Sequence, residues 1–345
     1  MSILFNDLVT LRERSGVGSY ALELLRHLPK EIEITRLSET FVGSPLKVLS
    51  SRPPKGQGKG RLHSVLQQYL SLTTGFGGYE LYHEPDAIPF PSKIPTVATV
   101  HDLSVTLFPE WHPPHRVERF KRELPRVIEE TKGFFADSYA TKKDMVEHWR
   151  VPADKIEVAW LAPRPAFRPV PLPKERKSYF LFLGTVEPRK NIRGLLDAHR
   201  ALPPSIREKF PLYVAGGAGW GDVDLKGSTY LGYLDDKKLV EVLCGATALV
   251  YPSFYEGFGL PPLEAMACGV PVISSHKGSL EEVVEDAALI IDPNSPEEIT
   301  DAMVLFAEKE EMREIYRQKG LARAATFSWA TTAQTTLQAY RKWLS

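Results

Sequence analysis

Residues 248–274 read ALVYPSFYEGFGLPPLEAMACGVPVIS. The stretch opens on Ala248 to Tyr251, a short run apolar enough to be a buried strand, and closes on a second such run at residues 270–274. Between them lie a glycine-containing loop and the helix-like AMACG. Strand, loop, helix and strand in this order make a βαβ unit, and therefore a parallel sheet. Gly257 and Gly259 permit close approach of a ligand to the backbone, while Pro261 and Pro262 suit a first helical turn. A helix N-terminus draws anions through its free amides and dipole. Glu256 is expected to project from the loop and Glu264 to sit in the first turn, so that they reach different parts of a ligand. Neighbouring hydroxyls, such as those of a sugar or a ribose, donate strong charge-assisted hydrogen bonds to carboxylates. The plain alternative is a helix-dipole charge for Glu264 and a surface charge for Glu256.

Outward from this unit, apolar runs alternate with longer amphipathic stretches, and the pattern occurs twice. In the first half, strands are expected near residues 3–5, 80–83, 96–100, 133–136 and 156–159, with helices near 17–28 and 141–149. In the second half, strands are expected near 179–183, 212–215, 248–251, 270–274 and 288–291. Residues 161–175 hold Pro163, Pro165, Pro169, Pro171 and Pro173 and read as a linker. A length of 345 residues is about twice the usual domain size, so two domains are expected. Residues 326–345, with Phe327, Trp329, Leu337, Tyr340 and Trp343, read as a closing helix with aromatic anchors. An ordinary terminal core helix is the alternative.

Lys plus Arg and Asp plus Glu number 43 each, which removes the basic excess expected of a nucleic-acid binder. Cys244 and Cys268 lack metal-ligand spacing, and a cysteine-poor enzyme fits a reducing, cytoplasmic compartment. Neither a membrane span nor a signal peptide is expected, so any contact with the inner membrane face is peripheral. Two basic stretches offer such a contact: residues 51–61, with Arg52, Lys55, Lys59 and Arg61, and residues 116–126, with Arg119, Lys121 and Arg122. A solvated charged loop is the plain reading of the first.

Arg189 and Lys190 follow the 179–183 strand, at the sheet edge where open α/β folds bind ligands, and two cations there suit a diphosphate. His101 follows the 96–100 strand at another such edge, where it is placed to donate to a sugar or help bind a transition state. His83 reads as a packed or hydrogen-bonded residue. Gly16 and Gly18 in GVGSYA match the dinucleotide pattern G-x-G-x-x-A, but residues 6–15 separate them from the first strand, which argues against a nicotinamide cofactor. A helix-capping turn is the alternative there. Asp222 and Asp224 form an Asp-x-Asp triplet after a glycine loop rather than after a strand, so no metal and no other cofactor is expected.

The 256–264 segment resembles the Glu-x7-Glu signature of the retaining glycosyltransferases of family four, which have the GT-B fold. The resemblance extends, in the family's order, through SGVGSY (15–20), VHDLSVTLFPE (100–110), FADSYATKKDM (135–145), FLGTVEPRKN (182–191), AGGAGWG (215–221), YLGYL (230–234) and FSW (327–329). It implies an α/β chain of two Rossmann-like doubly wound domains facing a central cleft. They divide as an acceptor-side domain over 1–162, a nucleotide-sugar donor domain over 163–326, and a C-terminal helix over 327–345 that crosses back to the first domain. It also implies the diphosphate role of Arg189 and Lys190, and a histidine, here His101, close to the transferred sugar. The donor is expected to meet Gly16, Gly18, Gly184, Gly257, Phe258, Gly259, Leu260 and Glu264, with Glu256 fixing the sugar and Glu264 the ribose. Some members carry an Arg directly after the strand glycine, where this chain has Thr185 after Gly184.

The expected activity is metal-independent hexosyl transfer with retention, from GDP-mannose first and a UDP-sugar second, to a glycan, lipid-linked or small-molecule acceptor. The motif flavour looks most like mannosyltransferases of bacterial polysaccharide assembly. Competing readings are a nucleotide-sugar epimerase on the same architecture, an NAD-linked dehydrogenase, and a non-catalytic protein that binds sugar nucleotides.

Overall fold

The computed structural model describes residues 1–11, 16–40, 78–171, 178–220 and 223–345. Among these the chain builds two parallel six-stranded sheets. The first takes β1 (Ser2–Phe5), β2 (Glu33–Arg36), β3 (Leu81–Glu84), β4 (Thr96–Val100), β5 (Thr131–Ala136) and β6 (Ile156–Val158), in the order β2-β1-β3-β4-β5-β6. The second takes β7 (Phe180–Leu183), β8 (Leu212–Ala215), β9 (Ser228–Gly232), β10 (Ala248–Tyr251), β11 (Val272–Ser274) and β12 (Leu289–Ile290), in the order β12-β11-β10-β7-β8-β9. Each order reverses once, between β1 and β3 and between β7 and β10. In open α/β sheets the crevice beyond the carboxyl ends of such a strand pair receives ligands.

Two compact units follow from the sheets. One comprises Met1–Leu103, Glu118–Leu161 and Trp329–Ser345, and the other Ser104–Val117 and Ala162–Ser328. Strands β3, β4, β7 and β10 are buried along their whole length, as expected of a parallel sheet covered on both faces. The first core is built on Phe5, Tyr20, Tyr82, Phe134, Phe135 and Tyr340, and the second on Phe180, Phe182, Tyr251 and Phe306. Each such side chain adds roughly 1.5–3 kcal/mol when fully buried.

The closing helix, Trp329–Leu344, belongs to the first unit and buries Trp329, Tyr340 and Trp343 there. Its Trp343 packs edge-on against Phe135, with ring centroids 4.9 Å apart, over Gly133, where a Cβ would come within 2.1 Å of the indole. Two edge strands, β2 and β9, lie outside the sequence expectation. Both are half-exposed with mixed polar residues, so they lack the apolar run that marks the central strands.

Candidate functional site

The switch point of the second sheet gathers the charges that the sequence scatters over 70 positions. After β7 the chain makes a 3-10 turn, Pro188–Lys190, and then enters the helix Ile192–Ala201. Asn191 caps that helix from a left-handed conformation, its side chain accepting from the Gly194 amide. After β10 the loop carries Ser253 and Glu256. Glu256 is 5% exposed, and its carboxylate accepts three hydrogen bonds on Oε1 and one on Oε2. Its Oε1 accepts from Lys190 Nζ at 2.7 Å, Tyr251 Oη at 2.9 Å and Ser253 Oγ at 2.9 Å, and its Oε2 accepts from Arg189 Nη1 at 2.6 Å. Arg189 also meets Glu187 at 2.8 Å, so two cations face two carboxylates. Burial opposes the charge of Glu256, but Arg189 and Lys190 outweigh it and push the carboxyl down to about 2. Arg189 and Lys190, expected to hold a diphosphate, are thus brought together on the residue expected to hold the sugar.

Glu264 lies in the helix Leu260–Ala267 as its fifth residue, in the second turn rather than the expected first. Gly259 caps this helix at φ 105°, where a Cβ would also meet Leu280 at 2.7 Å. Pro261 and Pro262 carry no N–H, so neither adds an amide donor at this end of the helix. Glu264 is paired with a residue the sequence reading missed. Arg164 donates from Nε to Oε1 at 2.6 Å and from Nη2 to Oε2 at 3.0 Å, and from Nη1 to Asp236 at 2.6 Å. The guanidinium also stacks over Phe167, 4.2 Å from the ring centroid. No local signal marks Arg164, which sits in a proline-rich segment 100 positions from its partner.

The other expected residues are disposed as follows. Gly184, at the end of β7, leaves room for Lys190, whose side chain would lie 3.1 Å from a Cβ there. Phe258 turns its ring into the core against Phe327, with centroids 5.9 Å apart. Phe108 stacks on Trp111 at 4.1 Å and lies 5.4 Å from Tyr255, so an aromatic platform from the 104–117 segment adjoins the Glu256 loop within the second unit.

In the first unit, His101 follows β4 with both ring nitrogens engaged: Nδ1 with Asp137 Oδ2 at 2.6 Å and Nε2 with the Pro85 carbonyl at 2.8 Å. Two oxygen acceptors require two N–H donors, which only the imidazolium supplies. Burial works against that charge, yet the Asp137 carboxylate prevails and raises the ring to about 9. Neither nitrogen is left as an acceptor for general-base work in this state. Asp137 follows β5 and was also missed. His83 is buried between Tyr340 and Thr99 and is pushed by burial down to about 3, as suits the packed role expected of it. Glu84 ends β3 and accepts from Tyr82 Oη at 2.6 Å and Asn6 Nδ2 at 2.7 Å. Burial raises it to about 8. Gly16 is the exposed first residue of the helix Gly16–His27, and Gly18 is buried within it.

Residues 51–61, Ser15, Gly221 and Asp222 lie outside the described residues, whereas Asp224 is an exposed turn residue that accepts from the Lys226 amide. Among the described residues, one group of metal-ligand type occurs, Asp144, Glu147 and His148, on the surface helix Tyr139–His148. Among the same residues, no helix is long and apolar enough to cross a membrane.

Comparison with known proteins matches residues 14–160 to the model of Glycosyltransferase Family 4 and residues 163–323 to that of Glycosyl transferases group 1. The chain is 34% identical, over an alignment of 380 positions, to O-antigen chain mannosyltransferase B of Escherichia coli, covering 99% of this chain and 100% of that one. Two solved structures share the architecture. Anabaena Alr3699/HepE, in complex with UDP and glucose, superposes with a TM-score of 0.74 at 18% identity over 99% of this chain and 100% of that one. WaaG, a glycosyltransferase involved in lipopolysaccharide biosynthesis, superposes with a TM-score of 0.70 at 14% identity over 97% and 98%.

Proposed function

The chain belongs to the family four glycosyltransferases, with the GT-B fold, and from that premise we propose that it transfers mannose from GDP-mannose, with retention and without a metal, to a growing polysaccharide. The observation that carries this reading is the full-length likeness to an O-antigen mannosyltransferase. It is joined by the subscribed Glu256, Arg189 and Lys190 cluster at the switch point of the second sheet. A UDP-sugar donor is the second choice, favoured by the UDP and glucose held by the Anabaena protein.

Breaking the bond from the anomeric carbon to a diphosphate leaves positive charge on the sugar and negative charge on the leaving group. Arg189, Lys190 and the amides of the 257–260 segment take the negative charge. Each preorganised donor contributes about 2–4 kcal/mol on the scale of an oxyanion contact. Glu256 fixes the donor sugar and Glu264 the ribose. A carboxylate that accepts four hydrogen bonds and is held at about 2 is a poor nucleophile, so the acceptor is activated by the leaving diphosphate on the same face of the sugar. His101 acts as a fixed cation rather than as a base. The helix Pro114–Glu130, which exposes Arg119, Lys121 and Arg122, supplies a peripheral contact with an anionic membrane surface.

The test is transfer of labelled sugar from GDP-mannose and from UDP-glucose to mannose-terminated oligosaccharides in EDTA, with the anomeric configuration of the product read by NMR. An α-mannoside made from GDP-mannose is expected. Isomerisation of the donor without any acceptor, or a covalent glycosyl adduct on Glu256, would overturn the proposal.

A further inference from the structure

In the proline-rich segment, the Arg164 side chain reaches two carboxylates, and it does so from burial: 12% of the side chain is exposed, against 4% for Glu264. The fork on Glu264 is bidentate, and the third nitrogen ties the arrangement to Asp236, the first residue of the helix Asp236–Gly245. Phe167 covers the guanidinium face. Four contacts on one planar cation fix its orientation, and with it the plane of the Glu264 carboxylate. A lysine offers no such fork.

We propose that Arg164 is the positioning residue for the ribose of the donor, holding the Glu264 carboxylate in the plane from which it accepts the ribose hydroxyls. The proposal rests on the reading of Glu264 as the ribose carboxylate. Burial favours the protonated form of Glu264 and the neighbouring Asp236 repels its charge, so the guanidinium is what keeps it an acceptor. Without Arg164 the carboxyl takes up a proton, rotates, and meets one hydroxyl as a donor instead of two as an acceptor. The effect falls on donor binding rather than on bond cleavage, which happens at the diphosphate.

The experiment compares binding of GDP and of UDP with their 2′,3′-dideoxy analogues by calorimetry, for the wild type, Arg164→Ala, Arg164→Lys and Glu264→Gln. The wild type is expected to prefer the hydroxylated nucleotide by about ten-fold or more, the size of a lost charge-assisted hydrogen bond. Arg164→Ala and Glu264→Gln are expected to lose that preference, with KM for the donor raised by a similar factor and kcat nearly kept. Arg164→Lys, which retains the charge and so protects the fold, is expected to recover part of it. If the wild type shows no preference, the ribose reading of Glu264 fails and the proposal with it. If the wild type discriminates and both Arg164 variants discriminate equally well, the ribose reading stands and the proposal alone is overturned. Tighter nucleotide binding by Arg164→Ala would also contradict it, because Arg164 would then compete with the ribose.

Discussion

Glu84 ends β3 and Glu256 lies in the loop after β10, two switch-point strands each buried along its length, yet the two carboxyls settle in opposite states. Glu84 is 6% exposed and meets a phenol and an amide, both neutral, so burial prevails and the group stands at about 8. Glu256 is 5% exposed and meets Arg189 and Lys190, so the charge prevails and the group stands at about 2. Equal burial with unequal partners decides the protonation. The second unit therefore presents a permanent, paired charge cluster suited to an anionic leaving group. In the first unit Glu84 and His83 are held neutral, and His101 is held charged against Asp137.

The largest effect is expected from Glu256→Gln. It leaves Lys190 and Arg189 buried with one fewer counter-charge, so stability should fall by about 3–5 kcal/mol in a denaturant titration. Transfer should fall by about 10²–10³-fold in kcat. A smaller effect is expected from pH. His101 has a folded value of about 9 against 6.5 unfolded, so its stabilising contribution is complete below pH 6.5 and disappears as pH rises towards 9. The loss is on the order of 3 kcal/mol. Asp137→Asn should remove this limb from a plot of stability against pH. Smaller still, at acid pH, is Glu84→Gln, which replaces one neutral hydrogen-bonding group by another and should change stability below pH 4.5 by about 0.5–1 kcal/mol. Because the folded carboxyl titrates near 8 and the unfolded one near 4.5, the wild type loses stability as pH rises between these values. The Gln variant should be flat there. EDTA should leave transfer unchanged in rate.

What was legible follows the same contrast. The Glu256 cluster arises from two short motifs, and their residue types announce it: two adjacent cations after a strand, and a carboxylate in a glycine loop after another. The central strands were legible as apolar runs. Edge strands β2 and β9 were not, since a half-exposed strand carries polar residues at alternate positions. Arg164, Asp137 and Glu84 were not legible as partners, because Arg164 meets Glu264 across 100 positions of chain, and Asp137 meets His101 and Glu84 meets Asn6 through the strand order of the sheet. Glu264 shows the limit in finer grain. Its type and helix were evident, but its turn and its counter-ion depended on where Gly259 stops the loop.

The central claim is that the paired charges of the second unit receive a nucleoside diphosphate. It is tested most directly by thermal shift of the wild type and of Lys190→Ala with GDP, UDP and NAD in EDTA. Stabilisation of the wild type by one diphosphate, strongest for GDP and lost in Lys190→Ala relative to that variant's own unliganded melting point, is the expected result. Stabilisation by NAD alone, or an undiminished nucleotide shift in Lys190→Ala, would contradict it.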